Sequence, residues 1–223
     1  MPQSPMSTTE QHTEAPAEDV LHFLALGDSY TIGEGVGEDE RWPVQLAHRL
    51  RAVGVGIADP TIIARTGWTT AELQSGIELQ QPRGTFDLVT LQIGVNNQFR
   101  GLDESEFEKE LDELLQRSIT YAAGKSQSVI VLSIPDWGVT PFAGDGDREQ
   151  IAAAIDRFNA VQRARAAFYG CRYIDVTPES RKADSDRSLL ADDQLHPSAK
   201  MYQRWVVLML PIVKQIFKPD EAG

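Results

Sequence analysis

LHFLALGDS, residues 21–29, is a short apolar run that ends in three turn-forming residues. Leu21–Leu26 predicts a buried β-strand, and Gly27-Asp28-Ser29 predicts a tight turn directly after it. Beyond this stretch, short apolar runs alternate with longer amphipathic segments. Such an alternation is typical of a parallel β-sheet with helices packed on both of its faces. The chain is therefore predicted to be an α/β protein.

Four more strands and five helices are predicted from the same alternation. The strands are Thr61–Ala64, Phe86–Ile93, Val129–Ile134 and Arg172–Val176. The first two helices are Arg41–Val53 and Thr69–Leu79. The third follows a capping box of Asp103 and Glu106, and the fourth is capped by Asp147. The fifth starts near Pro197 and is kinked or ended by Pro211. The expected architecture is a three-layer α/β/α sandwich with a five-stranded parallel sheet. Ligands of such sheets bind at the carboxyl ends of the strands.

The composition fits one domain with its own hydrophobic core. The chain has 223 residues, 41% of them hydrophobic, and a single cysteine, Cys171. One cysteine excludes an intramolecular disulfide and a cysteine-based zinc site. The 21 Lys and Arg against 33 Asp and Glu give a net charge of −12, which argues against nucleic acid and an anionic membrane surface as partners. No metal or organic cofactor is implied.

Neither a membrane span nor a secretory signal is predicted. The apolar run Val206–Val213 contains Pro211 and is far shorter than the ~20 residues of a span. Residues 1–19 contain no apolar core, and the first basic residue is Arg41. We expect a cytoplasmic protein, monomeric or a small homo-oligomer. Its predicted parts are a disordered tail at 1–19, one domain at 20–218 and a short tail at 219–223.

Ser29 stands where a nucleophile could reach a ligand, directly after the first predicted strand. A serine nucleophile needs a general base. Among the four histidines, His196 is the best placed, because Pro197 fixes the start of the last helix and Asp193 can fold back onto the ring. Asp192 or Asp175 could replace Asp193, and a helix cap within a polar loop is the bland alternative.

Two further loops carry candidate hydrogen-bond donors. Gly67 opens the second helix, and Asn96 follows the third strand within Gly94-Val95-Asn96-Asn97. A helix-start N–H and an Asn side chain can both donate to the negative charge that develops on a carbonyl oxygen during acyl transfer. Taken singly, each is also an ordinary turn feature.

Together, these segments resemble the SGNH (GDSL) hydrolase family of serine esterases and lipases. The resemblance covers Leu21 to Phe217 and rests on Gly27-Asp28-Ser29, Gly67, Gly94-Val95-Asn96 and Asp193-x-x-His196. It implies a flavodoxin-like SGNH hydrolase fold. One position departs from the family pattern: Asn97 stands where the family usually has Asp, and we expect it to change loop hydrogen bonding more than catalysis.

The resemblance implies a role for each of these residues. Ser29 would be the nucleophile and His196 the base, with Asp193 orienting the imidazole. The oxyanion hole would consist of the Ser29 N–H, the Gly67 N–H and the Asn96 side chain. The implied reaction is hydrolysis of carboxylic esters through an acyl-enzyme, with short-acyl or acetyl esters expected because no long insertion suggests a lid.

Aromatic side chains on the same loops are candidates for binding the substrate: Tyr30, Trp68, Phe99, Trp137 and Phe142.

Several functions compete with a short-chain esterase. A lysophospholipase, thioesterase or acyltransferase could use the same triad. Two non-catalytic functions would not use the triad. They are a flavodoxin-like binding module and a catalytically silent interaction protein. An α/β-hydrolase is disfavoured because Tyr30 and Thr31 follow Ser29, so the Gly-x-Ser-x-Gly elbow is missing.

Overall fold

The computed structural model describes residues 20–217. The predicted tails at 1–19 and 219–223 lie outside these residues, as does His12. The strands are β1 Phe23–Gly27, β2 Thr61–Ala64, β3 Leu88–Gln92, β4 Val129–Leu132 and β5 Arg172–Ile174. The helices are α1 Ser29–Ile32, α2 Trp42–Ala52, α3 Thr70–Gln80, α4 Val95–Phe99, α5 Glu104–Tyr121, α6 Arg148–Phe168, α7 Thr177–Arg181 and α8 Ala199–Phe217.

The five strands form one parallel sheet in the order β2-β1-β3-β4-β5. Every residue of β1, β3 and β4 is buried, as expected for apolar strands covered on both faces. Helices α2 and α8 pack against each other, while α5 packs against both α3 and α6. The predicted three-layer α/β/α sandwich is confirmed.

The strand order places a topological switch point between β1 and β3. From β1 the chain turns to one side to form β2, then returns to form β3 on the other side of β1. The loops that leave β1 and β3 therefore diverge and open a crevice at the carboxyl end of the sheet. Ser29 follows β1 and Asn96 follows β3, so both lie at this crevice.

The last helix begins at Ala199, two residues after Pro197, in agreement with its predicted start, and it continues through Pro211 to Phe217. Pro211 was expected to kink or end the helix, and it does not end it. The buried side chains of Met209 and Val213 on either side of Pro211 lie in the hydrophobic core, and this packing holds the helix across the lost hydrogen bond.

The capping box predicted from Asp103 and Glu106 is only half formed. Asp103 accepts the backbone N–H groups of Ser105 and Glu106, so it caps α5 from one side only. The reciprocal box stands at α3, where Thr69 accepts from the Glu72 N–H and Glu72 accepts from the Thr69 N–H at 2.8 Å. Asp147 caps α6 as predicted. Within residues 20–217, no helix is both long and apolar enough to cross a bilayer.

Candidate active site

The turn after β1 presents Ser29 as the first residue of α1. Gly27 is required there, because a Cβ atom would lie 2.5 Å from the Gln92 carbonyl oxygen and closer still to the Thr31 hydroxyl. Asp28 caps α1 by accepting the Tyr30 N–H at 3.0 Å. Close packing and a side-chain cap thus fix the position of the Ser29 hydroxyl.

Asp28 is an acidic side chain enclosed in the protein interior. Only 1% of it is exposed. Burial disfavours the carboxylate and raises the pKa of Asp28 from 3.8 to about 7, although hydrogen bonds from backbone N–H groups act in the opposite direction. Asp28 does not line the pocket described below, and its carboxyl group instead caps the helix that begins at Ser29.

His196 and Asp193 contact each other through their side chains. Asp193 Oδ2 lies 2.6 Å from His196 Nδ1, and Asp193 Oδ1 accepts the N–H groups of Leu195 and His196, each at 2.9 Å. Partial burial acts to raise the pKa of Asp193, but these hydrogen bonds outweigh it and the pKa is lowered. Asp193 is therefore an ionised acceptor that engages Nδ1 of the imidazole.

A β-bridge holds His196 in place, rather than the start of a helix. The His196 carbonyl oxygen accepts the Ala191 N–H at 2.8 Å, and Pro197 forms an antiparallel bridge with Leu190. This pairing keeps 196–198 extended, which explains why α8 begins only at Ala199. The expectation that Pro197 lies in the first helical turn is therefore corrected.

The segment that contains Gly67 is hydrogen-bonded to α4. The donors are side chains of α4 and of its C-cap residue. Asn96 Nδ2 donates to the Trp68 carbonyl oxygen at 2.9 Å, and Arg100 donates to the Gly67 carbonyl oxygen at 2.6 Å. Asn97 accepts the Thr70 N–H at 3.1 Å and donates to its hydroxyl at 2.7 Å. As expected, Asn97 acts on the hydrogen bonding of the loop. No sequence pattern predicted the hydrogen bond from Arg100 to Gly67.

A pocket of about 140 Å³ at the carboxyl end of the sheet brings the candidates together. It is lined by Ser29, Tyr30, Thr66, Gly67, Val95, Asn96, Phe99, Trp137, Phe142, Leu195 and His196. Ser29 and His196, far apart in the chain, thus face one cavity and are 5% and 8% exposed. Among the described residues, no hydrogen bond joins the Ser29 hydroxyl to the imidazole, as is common before substrate binds.

Some of the predicted candidates lie elsewhere. Trp68 does not line the pocket, because its ring packs against Gly76 of α3, where a Cβ atom would overlap it. Asp175 pairs with Arg163 at 2.9 Å, and Asp192 is exposed. Sequence reasoning also missed pocket residues, namely Thr66, Val95 and Leu195. Thr66 donates a hydrogen bond to the Glu34 side chain, which follows α1.

The charged residues of the described part of the chain do not gather into a metal site, since 20–217 contain no group of three His, Cys, Asp or Glu side chains with suitable geometry. The arrangement offers instead a hydroxyl, an imidazole oriented by a carboxylate, and several N–H groups around an apolar pocket. These groups are suited to acyl transfer.

The family of this chain follows from a match over most of its length. Residues 25–204 match the GDSL-like Lipase/Acylhydrolase family. The chain belongs to this family. It is thereby assigned to the carboxylic ester hydrolases, and the predicted resemblance is confirmed. No curated protein matches this GDSL-like acylhydrolase significantly.

Solved structures share the fold of this GDSL-like acylhydrolase. The crystal structure of TesA is 20% identical, with a TM-score of 0.67, and the match covers 87% of this chain and 99% of that one. The acetyl xylan esterase AlAXEase is 18% identical with a TM-score of 0.67, covering 86% and 100%. Phospholipase A1 from Streptomyces albidoflavus NA297 is 22% identical with a TM-score of 0.64, covering 88% and 99%. These similarities establish the SGNH hydrolase fold.

Proposed function

We propose that this GDSL-like acylhydrolase cleaves short-acyl carboxylic esters through an acyl-enzyme on Ser29. The observation that carries the proposal is the shared pocket of Ser29 and His196, with Asp193 hydrogen-bonded to the far side of the imidazole at 2.6 Å. This is the spatial order of nucleophile, base and orienting acid that serine hydrolysis needs.

The reaction begins with attack of Ser29 Oγ on the ester carbonyl carbon, and the hydroxyl proton passes to His196 Nε2. As the ester C–O bond breaks, His196 returns this proton to the leaving alcohol, and the acyl group stays on Ser29. A water molecule then attacks the acyl-enzyme with His196 as the base, which releases the acid and restores the hydroxyl. Asp193 stabilises the imidazolium in both halves.

Three N–H groups are proposed to stabilise the oxyanion. The backbone N–H of Ser29 stands at the first position of α1, where an amide has no partner within the helix. Asn96 uses one side-chain N–H on Trp68 and has a second to offer. The Gly67 N–H supplies the third, and the Gly67 carbonyl oxygen, in the following peptide unit, accepts from Arg100. Each such donor is typically worth ~10²–10³ in kcat.

The size of the pocket favours small acyl groups. Its volume of about 140 Å³ is close to that of a 150 Å³ apolar cavity known to accept benzene. Walls from Phe99, Trp137 and Phe142 make it largely apolar. An acetyl or butyryl group fits this space, whereas a fatty acyl chain exceeds it.

Covalent labelling tests the nucleophile. A fluorophosphonate probe is expected to phosphonylate Ser29, with the Oγ–P bond forming as the P–F bond breaks, and peptide mass analysis locates the adduct. Ser29→Ala should abolish labelling and nearly all hydrolysis of nitrophenyl acetate. Ser75→Ala, which alters an exposed serine of α3, serves as the control and should behave as the wild type. Full activity in Ser29→Ala would refute the assignment.

An acyltransferase or thioesterase with the same residues is the second candidate. Product analysis with an added alcohol or thiol separates these functions. We expect free acid as the main product, so preferential capture of the acyl group by the alcohol would favour an acyltransferase.

A further inference from the structure

A second cavity lies beside the reaction pocket and shares a wall with it. This second cavity has a volume of about 510 Å³, more than three times that of the reaction pocket at about 140 Å³. Phe99 and Trp137 are the two residues that line both. Their side chains therefore stand between the two spaces, and we call this pair the aromatic partition.

The two members of the aromatic partition are held with different strength. Trp137 Nε1 donates to Gln98 Oε1 at 2.8 Å, which fixes the indole. The Phe99 ring meets the indole edge to face, with centroids 5.3 Å apart, and contacts Phe142 at 6.0 Å. Phe99 itself is 53% exposed. Removing its ring therefore opens the partition at little cost to the core.

Apolar side chains form part of the lining of the second cavity. Leu102, Ile151, Ala154 and Phe158 line it, together with a polar rim that includes the ion pair of Arg157 and Glu104 at 2.8 Å. An alkyl chain that contacted these apolar side chains would be favoured, and burial of each methylene corresponds to about a fourfold gain in affinity. The space is thus suited to the distal part of an acyl chain.

We infer that the aromatic partition sets the acyl-length limit of the enzyme by separating the reaction pocket from the second cavity. This inference rests on the proposed ester hydrolysis and names the residue that determines its chain-length specificity. With Phe99 in place, the acyl group must end inside the reaction pocket. Without the Phe99 ring, a longer chain extends past Trp137 into the second cavity.

The test is a chain-length profile of kcat/KM with nitrophenyl esters from acetyl to dodecanoyl. The wild type is expected to prefer acetyl or butyryl esters. Phe99→Ala should raise the ratio of decanoyl to butyryl kcat/KM by roughly tenfold or more, since two or three further methylenes become buried. Phe99→Val, a smaller truncation, should give an intermediate ratio, and thermal unfolding verifies that each variant is folded.

Phe142→Ala is the matched control. Phe142 is the same residue type, is 52% exposed, and lines the reaction pocket without lining the second cavity. Its truncation should leave the ratio of decanoyl to butyryl activity within about threefold of the wild type. Equal changes in Phe99→Ala and Phe142→Ala would mean that the pocket mouth merely widens, and would overturn the inference.

A second substitution locates the chain. Ala154→Phe places a ring in the second cavity, so it should restore the short-chain preference when combined with Phe99→Ala, and it should leave the profile unchanged in the wild-type background. A long-chain preference that persists in the double variant overturns the inference, as does a wild type that prefers long chains while Ser29 labelling stands. If the proposed function itself is wrong, Ser29→Ala retains full activity, so the two failures can be told apart.

Discussion

The contact between His196 Nδ1 and Asp193 Oδ2 determines which ring nitrogen can take a proton. With an ionised carboxylate at 2.6 Å, the neutral imidazole carries its proton on Nδ1, and Nε2 is left as the basic nitrogen. The three-residue spacing favours Asp193 in the sequence, which also offers two other acids. Asp175 is occupied by Arg163 and by the Ser133 hydroxyl, and Asp192 is exposed without a hydrogen bond to the ring among the described contacts.

Substitution of single carboxylates therefore discriminates between these acids. Asp193→Asn keeps the size of the side chain but favours the wrong imidazole tautomer, so we expect kcat for a short nitrophenyl ester to fall about 10³–10⁴-fold. Asp192→Asn, one residue away, should change kcat by less than about twofold. Steady-state kinetics of both variants provides the measurement, and an equal loss in the two would show that net charge matters more than the contact.

At the scale of elements, the sheet and the long helices follow from sequence, whereas the connections between them do not. Apolar runs predicted all five strands, and β2 has the predicted bounds. The helices α1, α4 and α7 span only four or five residues, too few for a periodic pattern. The bridge of Leu190 with Pro197 and the Trp68 ring against Gly76 are tertiary contacts without a local signal.

Arg100 connects two elements of the site, and substitution of Arg100 tests whether this connection affects catalysis. It connects the end of α4 to the Gly67 carbonyl oxygen at 2.6 Å and to Glu72 of α3 at 3.3 Å. Arg100→Ala should loosen the Gly67 peptide and lower kcat by about tenfold, a fraction of the loss of a whole donor, with a smaller change in KM. Arg117→Ala, which breaks another ion pair to α3 at Glu78, should leave kcat unchanged. Equal kcat values in the two variants would contradict a positioning role.

For the whole molecule, the buried Asp28 couples folding to pH. Its pKa rises from 3.8 to about 7 on folding, so between these values the folded chain binds more protons than the unfolded chain. Stability contributed by this residue is therefore full at low pH, declines as pH rises through about 4 to 7, and is lost above that range. At about 1.4 kcal/mol per pH unit, the penalty of ionised Asp28 amounts to as much as about 4 kcal/mol.

Asp28→Asn should remove this penalty while its amide oxygen still caps α1. We expect the variant to gain free energy of unfolding relative to the wild type at pH 8, and to lose that gain towards pH 4. Asp39→Asn, which removes one negative charge from an exposed position, is the control for the change in net charge. Urea unfolding at several pH values measures both. A difference for Asp28→Asn that is constant with pH would mean that Asp28 keeps an ordinary pKa in the folded protein, and that the serine turn is built on an ionised rather than a neutral side chain.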